Sequence, residues 1–278
     1  MPDRVSPFSL DQIGYGTVRF SSTGRFETHK DRMVDPYAET RIPKEAQVEG
    51  IRFSPQEIEG GKMDKGRFPA IVMLHERWGL ISQIKDMAKR LACEGYVVLV
   101  PNLYGRQGGM VTANSEVANA LMDRLNEQTA LQDMNACCEF LNTNIPEDPL
   151  LEFTKRNAHA VVGFGLGATL AIRFACQRKR LRAAVAFYGK LPNPLDSIQK
   201  LYCPLLYHAA ETDESVEPNE LEGLSQNAKE HQKSVEIRTY SGTVHGFCNE
   251  TRTGTYHPEA ANQAWEDTLS FLQKHLQS

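Results

Sequence analysis

The sequence predicts an α/β domain with a mostly parallel central sheet and helices on both faces. Three observations carry this expectation. From about residue 47 onward, strand-like and helix-like runs alternate, as repeated βαβ units require. The runs "IVMLHE", "VVLVPN" and "AVVGFG" are almost continuously apolar, as central strands covered on both faces have to be. Between such runs lie amphipathic stretches, with Ile84, Met87 and Leu91 on one helical face and Trp265, Leu269, Leu272 and Leu276 on another, all at helical spacing.

In chain order, residues 1–45 are polar and turn-rich, and only "GYGTVRFSSTGRFETHK" has the alternation of a hairpin. This segment is expected to pack as an amino-terminal extension on the surface of a domain spanning residues 46–278. Strands are expected at 48–54, 68–75, 96–101, 158–164, 182–188, 204–209 and 235–240, each a short run rich in apolar and β-branched residues. No internal repeat or low-complexity segment interrupts the pattern.

Composition narrows the function classes. With 278 residues, 41% of them hydrophobic and 24% charged, the chain can bury a large core and offers no case for disorder. A net charge of −4 argues against nucleic acid, whose partners usually present a basic face. A small-molecule substrate or ligand is expected instead, with the protein a monomer or homodimer. No run approaches the ~18 consecutive apolar residues of a membrane helix, and "MPDRVSPFSLDQIG" lacks the apolar core of a secretory signal. The expected setting is cytoplasmic, with no membrane contact. The six cysteines are scattered and form no C-x-x-C pair, which argues for buried thiols rather than disulfides or zinc ligands. No His/Cys/Asp/Glu cluster has metal-ligand spacing, so neither a metal nor a cofactor is expected.

The chemistry turns on "GFGLG" at residues 163–167. Gly163, Gly165 and Ala168 fit the dinucleotide fingerprint G-x-G-x-x-G/A at a strand-to-helix junction. That reading also needs an acidic residue near the end of the next strand, and "AFYGKLP" supplies none before Asp196. The other reading is the nucleophile elbow G-x-S-x-G, with Gly165 at the place of the nucleophile. Such sites use the chain order nucleophile, acid, histidine. "LLYHAAETDESVEP" places Asp213 after one strand, and "VEIRTYSGTVHGFCNE" places His245 after the next. A loop Asp alone is usually a solvated turn residue and a loop His alone usually structural, but the ordered set at strand ends favours the elbow.

With these motifs in place, the sequence resembles the dienelactone hydrolase family of α/β hydrolases from about residue 48 to the carboxy terminus. The resemblance rests on "VMLHERWGL", "GYVVLVPNLYGRQG", "GFGLG", the Asp213 and His245 loops, and "AWEDTLSFL". It implies an α/β-hydrolase fold and hydrolysis of small esters or lactones, with Asp213 as the acid and His245 as the base. It also implies that Glu76 lies beside the nucleophile position, and that the backbone N–H groups of Arg77 and Leu166 bind the oxyanion. Arg106 matches a family arginine that contacts a substrate carboxylate, so an anionic substrate is included. A second family arginine is replaced by Asn249, with Arg252 nearby.

Gly165 departs from the family, whose elbow carries Cys or Ser. Glycine has no atom with which to form an acyl-enzyme, yet it adopts positive φ without strain. Three routes remain: water activated by the Asp213–His245 dyad attacks the ester or lactone, the protein is a catalytically silent binder, or the dyad performs non-hydrolytic base chemistry. Glu76 is either a partly buried acid or base beside Gly165, or the partner of Arg77 or Arg106 in an ion pair. Trp78 and Tyr104 follow central strands and are expected to wall a substrate pocket. Cys248 is expected to be a buried inert thiol, Ser215 and Ser241 turn residues, His75 a strand-end residue bonded to backbone, and His208 a core histidine.

Overall fold

The computed structural model describes residues 6–22, 47–56, 67–143 and 154–277. Among these, eight strands form a single sheet: β1 (Ile13–Ser21), β2 (Gln47–Pro55), β3 (Phe68–Leu74), β4 (Val97–Pro101), β5 (Thr154–Phe164), β6 (Ala183–Phe187), β7 (Leu205–Thr212) and β8 (Val235–Val244). Their order is β1-β2-β4-β3-β5-β6-β7-β8. The pairs β1/β2 and β2/β4 are antiparallel, and every pairing from β4 through β3 to β8 is parallel.

All seven strands expected from the sequence are found. β5 begins earlier than expected, through Lys155, Arg156 and Asn157, which are exposed and carry no apolar pattern. A bulge between the pairs Phe68–Thr154 and Ala70–His159 holds that polar entry in the sheet. The segment expected to form a hairpin contributes β1, which pairs with β2 along its full length as an edge of the main sheet. The remainder of that segment lies outside the described residues.

Helices α1 (Ser82–Cys93) and α6 (Pro258–Leu276) cover one face of the sheet, and α3 (Glu127–Asn142), α4 (Leu166–Ala175) and α5 (Pro218–Glu230) cover the other. The short α2 (Ser115–Asp123) precedes α3 and is capped by Asn114, whose side chain accepts from two backbone N–H groups. Strand periodicity divides the core: Ile71 and Met73 enter the α1/α6 layer, while Val72 and Leu74 enter the α3/α4/α5 layer. This is why the central strands read as unbroken apolar runs.

The turn from β5 into α4 is tight. A Cβ on Gly163 would lie 2.2 Å from the Gly167 carbonyl oxygen, one on Gly167 would lie 2.5 Å from the Leu74 oxygen, and one on Gly189 would lie 2.5 Å from Ala168 Cβ. The first turn of α4 can therefore rest directly on the ends of β3, β5 and β6. Three buried histidines occupy the sheet or its edge, and burial lowers their pKa from 6.5 to about 4 for His75, about 4 for His159 and about 3 for His208.

Two outcomes are expected. Gly167→Ala should cost about 1–3 kcal/mol through overpacking and lower the urea midpoint, whereas an unchanged midpoint would mean that α4 withdraws freely. The lowered histidine pKa values imply that, between 6.5 and about 4, the unfolded chain binds more protons than the folded one. Stability is then fully present above the unfolded value and falls as pH falls through that window. Urea unfolding at about pH 7 and about pH 5 checks the sign; an equal or higher midpoint at the lower pH would contradict neutral buried histidines.

Candidate active site

The carboxyl-terminal ends of β3, β5, β6, β7 and β8 deliver Glu76, Gly165, Tyr188, Asp213 and His245 to one edge of the sheet, where open α/β sheets place their ligands. His245 Nδ1 stands 3.0 and 2.9 Å from the two carboxylate oxygens of Asp213. A carboxylate accepts from this nitrogen, so Nδ1 carries a proton, and in the neutral ring the lone pair is then on Nε2. The Asp213 side chain is only 4% exposed and that of His245 39% exposed, so a buried carboxylate orients an imidazole that meets solvent. The Ser215 N–H donates to Asp213 Oδ1 at 2.8 Å, the turn role expected for this serine.

Gly165 occupies the elbow at φ 51° and ψ −112°. Its N–H donates to the Phe187 carbonyl at 2.9 Å, and its own carbonyl accepts from Ala168 N and Thr169 N at 3.0 and 3.1 Å. A Cβ built on it would lie 3.6 Å from His245 Nε2 and 3.8 Å from Glu76 Cγ, both ordinary contact distances. The structure thus brings Gly165, Glu76, His245 and Asp213 together. A side chain at Gly165 would meet the His245 ring without displacing it.

Glu76 is buried, and its carboxylate is held by two neutral donors. The Tyr188 hydroxyl donates to Oε1 at 2.8 Å and Asn249 Nδ2 to Oε2 at 3.1 Å. The ion pair with Arg77 or Arg106 weighed from the sequence is not what holds it. The amide orientation of Asn249 is fixed, because its Oδ1 accepts from Thr251 Oγ1 and N at 2.7 and 3.1 Å. Tyr188 is fully buried, and burial together with the Glu76 charge pushes its hydroxyl well above the usual phenol range, so it remains a donor. Its ring edge meets His245 at 5.0 Å and Phe247 at 5.4 Å between centroids.

The loop after β3 is pinned at three successive carbonyls. Glu76 O accepts from His75 Nδ1 at 2.7 Å and Gly79 N at 3.2 Å, Arg77 O from the Tyr104 hydroxyl at 3.1 Å, and Trp78 O from Thr112 N at 3.1 Å. Leu103 N donates to His75 Nε2 at 3.1 Å, so the proton of this neutral imidazole is on Nδ1. Leu166 is the first residue of α4, where a backbone N–H has no intrahelical acceptor. His208 is the expected core histidine, bonded to Tyr240 and Thr268 and stacked 4.2 Å from Phe187.

Three expected substrate contacts are placed differently. Tyr104 is fully buried with its ring edge on His75, so it positions the Arg77 peptide rather than walling a pocket. Trp78 is buried beneath the guanidinium groups of Arg77 and Arg252, at 4.5 and 4.0 Å from its ring centroid. Arg106 makes a two-pronged ion pair with Asp133 of α3, a partner that no local motif announces. Cys248 is buried, and burial raises its thiol well above the ordinary range, which removes it as a substitute nucleophile. Among the described residues, no group of three or more His, Cys, Asp or Glu side chains forms a metal-binding set. Sequence reasoning missed Tyr188, although its place directly after a central strand, between the Gly165 and Asp213 ends, was a usable signal.

A sequence profile of the dienelactone hydrolase family matches residues 59–276. The chain is 28% identical over 221 residues to a protein of Bradyrhizobium sp named "Probable 2-oxo-3-(5-oxofuran-2-ylidene)propanoate lactonase", covering 76% of this chain and 86% of that one. It is 30% identical over 217 residues to protein usf of Aquifex pyrophilus, covering 75% and 89% of the two chains. In three dimensions it is similar to the crystal structure of a dienelactone hydrolase-like promiscuous phosphotriesterase from metagenomic libraries, with a TM-score of 0.72 at 17% identity, covering 95% of this chain and 99% of that one. That likeness supports the α/β-hydrolase fold, while the profile match spans most of the sequence: this chain belongs to the dienelactone hydrolase family.

Proposed function

We propose that this protein hydrolyses small esters or lactones by attack of a water molecule beside Gly165, activated by His245. The observation that carries the reading is the 3.6 Å between His245 Nε2 and the point where a Gly165 Cβ would stand, with Asp213 holding the opposite ring nitrogen. The water oxygen bonds to the carbonyl carbon while its proton passes to Nε2. The carbonyl oxygen takes the negative charge and receives hydrogen bonds from the Leu166 and Arg77 amides. Collapse breaks the C–O bond, and the imidazolium returns the proton to the leaving alkoxide. Products are an acid and an alcohol, joined in one molecule when the substrate is a lactone. Family membership and the lactonase name of the Bradyrhizobium relative support this class of reaction.

Glu76, held by Tyr188 and Asn249, lines the space beside Gly165. The anionic part of a substrate is assigned to Arg77 and Arg252. Neither forms a salt bridge among the described residues, whereas Arg106 is engaged by Asp133. Arg77 also donates to Asn119 at 3.0 Å, which steadies it over Trp78.

An esterase and lactonase screen on wild type, Gly165→Ser and His245→Ala tests the reaction. His245→Ala should lower wild-type kcat/KM by roughly 10²–10⁴-fold, the usual contribution of a general base. Gly165→Ser should add an acyl-enzyme burst. If wild type and His245→Ala are equally silent while the serine variant is active, the natural protein is a binder and the water route fails. For charge recognition, Arg252→Gln should raise KM about tenfold for a carboxylate-bearing ester and leave a neutral ester of the same size unchanged. An equal effect on both esters would remove this role.

A further inference from the structure

β5, β6 and β7 begin at the edge of the sheet opposite the His245 group, and the approach to β6 is the basic run "RKRLR" at 178–182. A concavity of about 530 Å³ opens at this edge, lined by Asn157, Lys179, Arg180, Arg182, Tyr202 and His275, with Leu181, Cys203 and Pro204 completing it. Its volume lies within the ~300–1,000 Å³ of small-molecule sites. Among the described residues, the lining holds three cations and a histidine but no carboxylate, in a chain whose net charge is −4. Among the described residues, Lys179, Arg180 and Arg182 enter no salt bridge, although the adjacent Arg178 pairs with Glu139 at 2.9 Å. Glu236, the acid that acts on His275, is itself paired with Arg238 at 3.5 Å.

Helix dipoles explain only part of this cluster. α4 and α6 end at this edge, and His275 belongs to the last turn of α6, where a cation complements the carboxyl-terminal partial charge. That effect fades within one turn, and α4 stops at Ala175, well short of Arg180 and Arg182. Tyr202 is 42% exposed and has Lys179 Nζ 5.9 Å from its ring centroid, so the cations stand beside an accessible aromatic surface. Arginine forks match phosphate oxygens in pairs, and several of them around one concavity suit a ligand with multiple negative charges in a small volume.

We propose that this concavity is a second binding site, for a small phosphate-bearing polyanion. Its lining residue Asn157 precedes Gly165 by eight residues along β5, roughly 25 Å at the rise of a strand, and the site does not depend on the hydrolase reading. Calorimetric titration of the full chain with inorganic tripolyphosphate and with ATP tests it. Saturable binding of at least one probe is expected, at one site per chain. The double variant Arg180→Gln/Arg182→Gln, with wild-type circular dichroism, should weaken binding about tenfold or more. Lys179→Gln is the second variant should the double one fold poorly, and it should weaken binding in the same direction. Tighter binding of ATP assigns the site to nucleotides through the Tyr202 ring, and equal binding assigns it to the phosphate chain alone. Absence of saturable binding by both probes, or affinity unchanged in the folded variants, overturns the proposal.

Discussion

Backbone against backbone, at the start of α4, is the constraint on which the rest of the molecule depends. Ordinary helix–sheet packing is separated by side chains, but here the first turn of α4 approaches the ends of β3, β5 and β6 at distances that no Cβ would survive. This closeness sets Gly165, at the start of α4, against Glu76 of the loop after β3 and the imidazole after β8. A looser junction would keep the fold and lose the convergence. Gly163, Gly167 and Gly189 thus serve the site although none of them offers it a functional group.

Tyr188 links the other parts. It ends β6 at φ 44°, a left-handed conformation that costs a non-glycine residue about 1–3 kcal/mol. Its N–H donates to the His208 carbonyl at 2.8 Å, its ring edge supports His245, and its hydroxyl holds Glu76. Strain at one backbone position is therefore offset by contacts to three strand ends. The two site carboxylates are held by different means: Asp213 by an imidazole and a backbone N–H, Glu76 by a phenol and an amide.

Much of the fold was legible because burial on both faces leaves continuous apolar runs, and the order Gly165, Asp213, His245 was legible because each follows such a run. The edge strand β1 was legible only as a strand, since its partner β2 is a tertiary choice that local alternation cannot encode. The entry to β5 was hidden because its exposed polar residues pair through register alone. At the site, Arg106 and Tyr104 were legible as residues that follow a central strand, yet their partners are Asp133 on α3 and the carbonyl of Arg77. Tyr188 depends on one unusual dihedral angle and Asn249 on the direction of one amide. Neither property can be read from residue type.

The ordinary contact distances around Gly165 bear on the history and the future of this site. Glycine codons that end in a pyrimidine lie a single base change from codons for cysteine and for serine, and a Cβ at Gly165 meets its neighbours at ordinary contact distances. The steric path between a glycine and a cysteine or serine at this elbow is thus open in both directions. Only the modest backbone strain of a side chain at positive φ opposes the step towards covalency. A lineage carrying this elbow could gain or lose a side chain there by drift, with Asp213, His245 and Glu76 in the same places on either side.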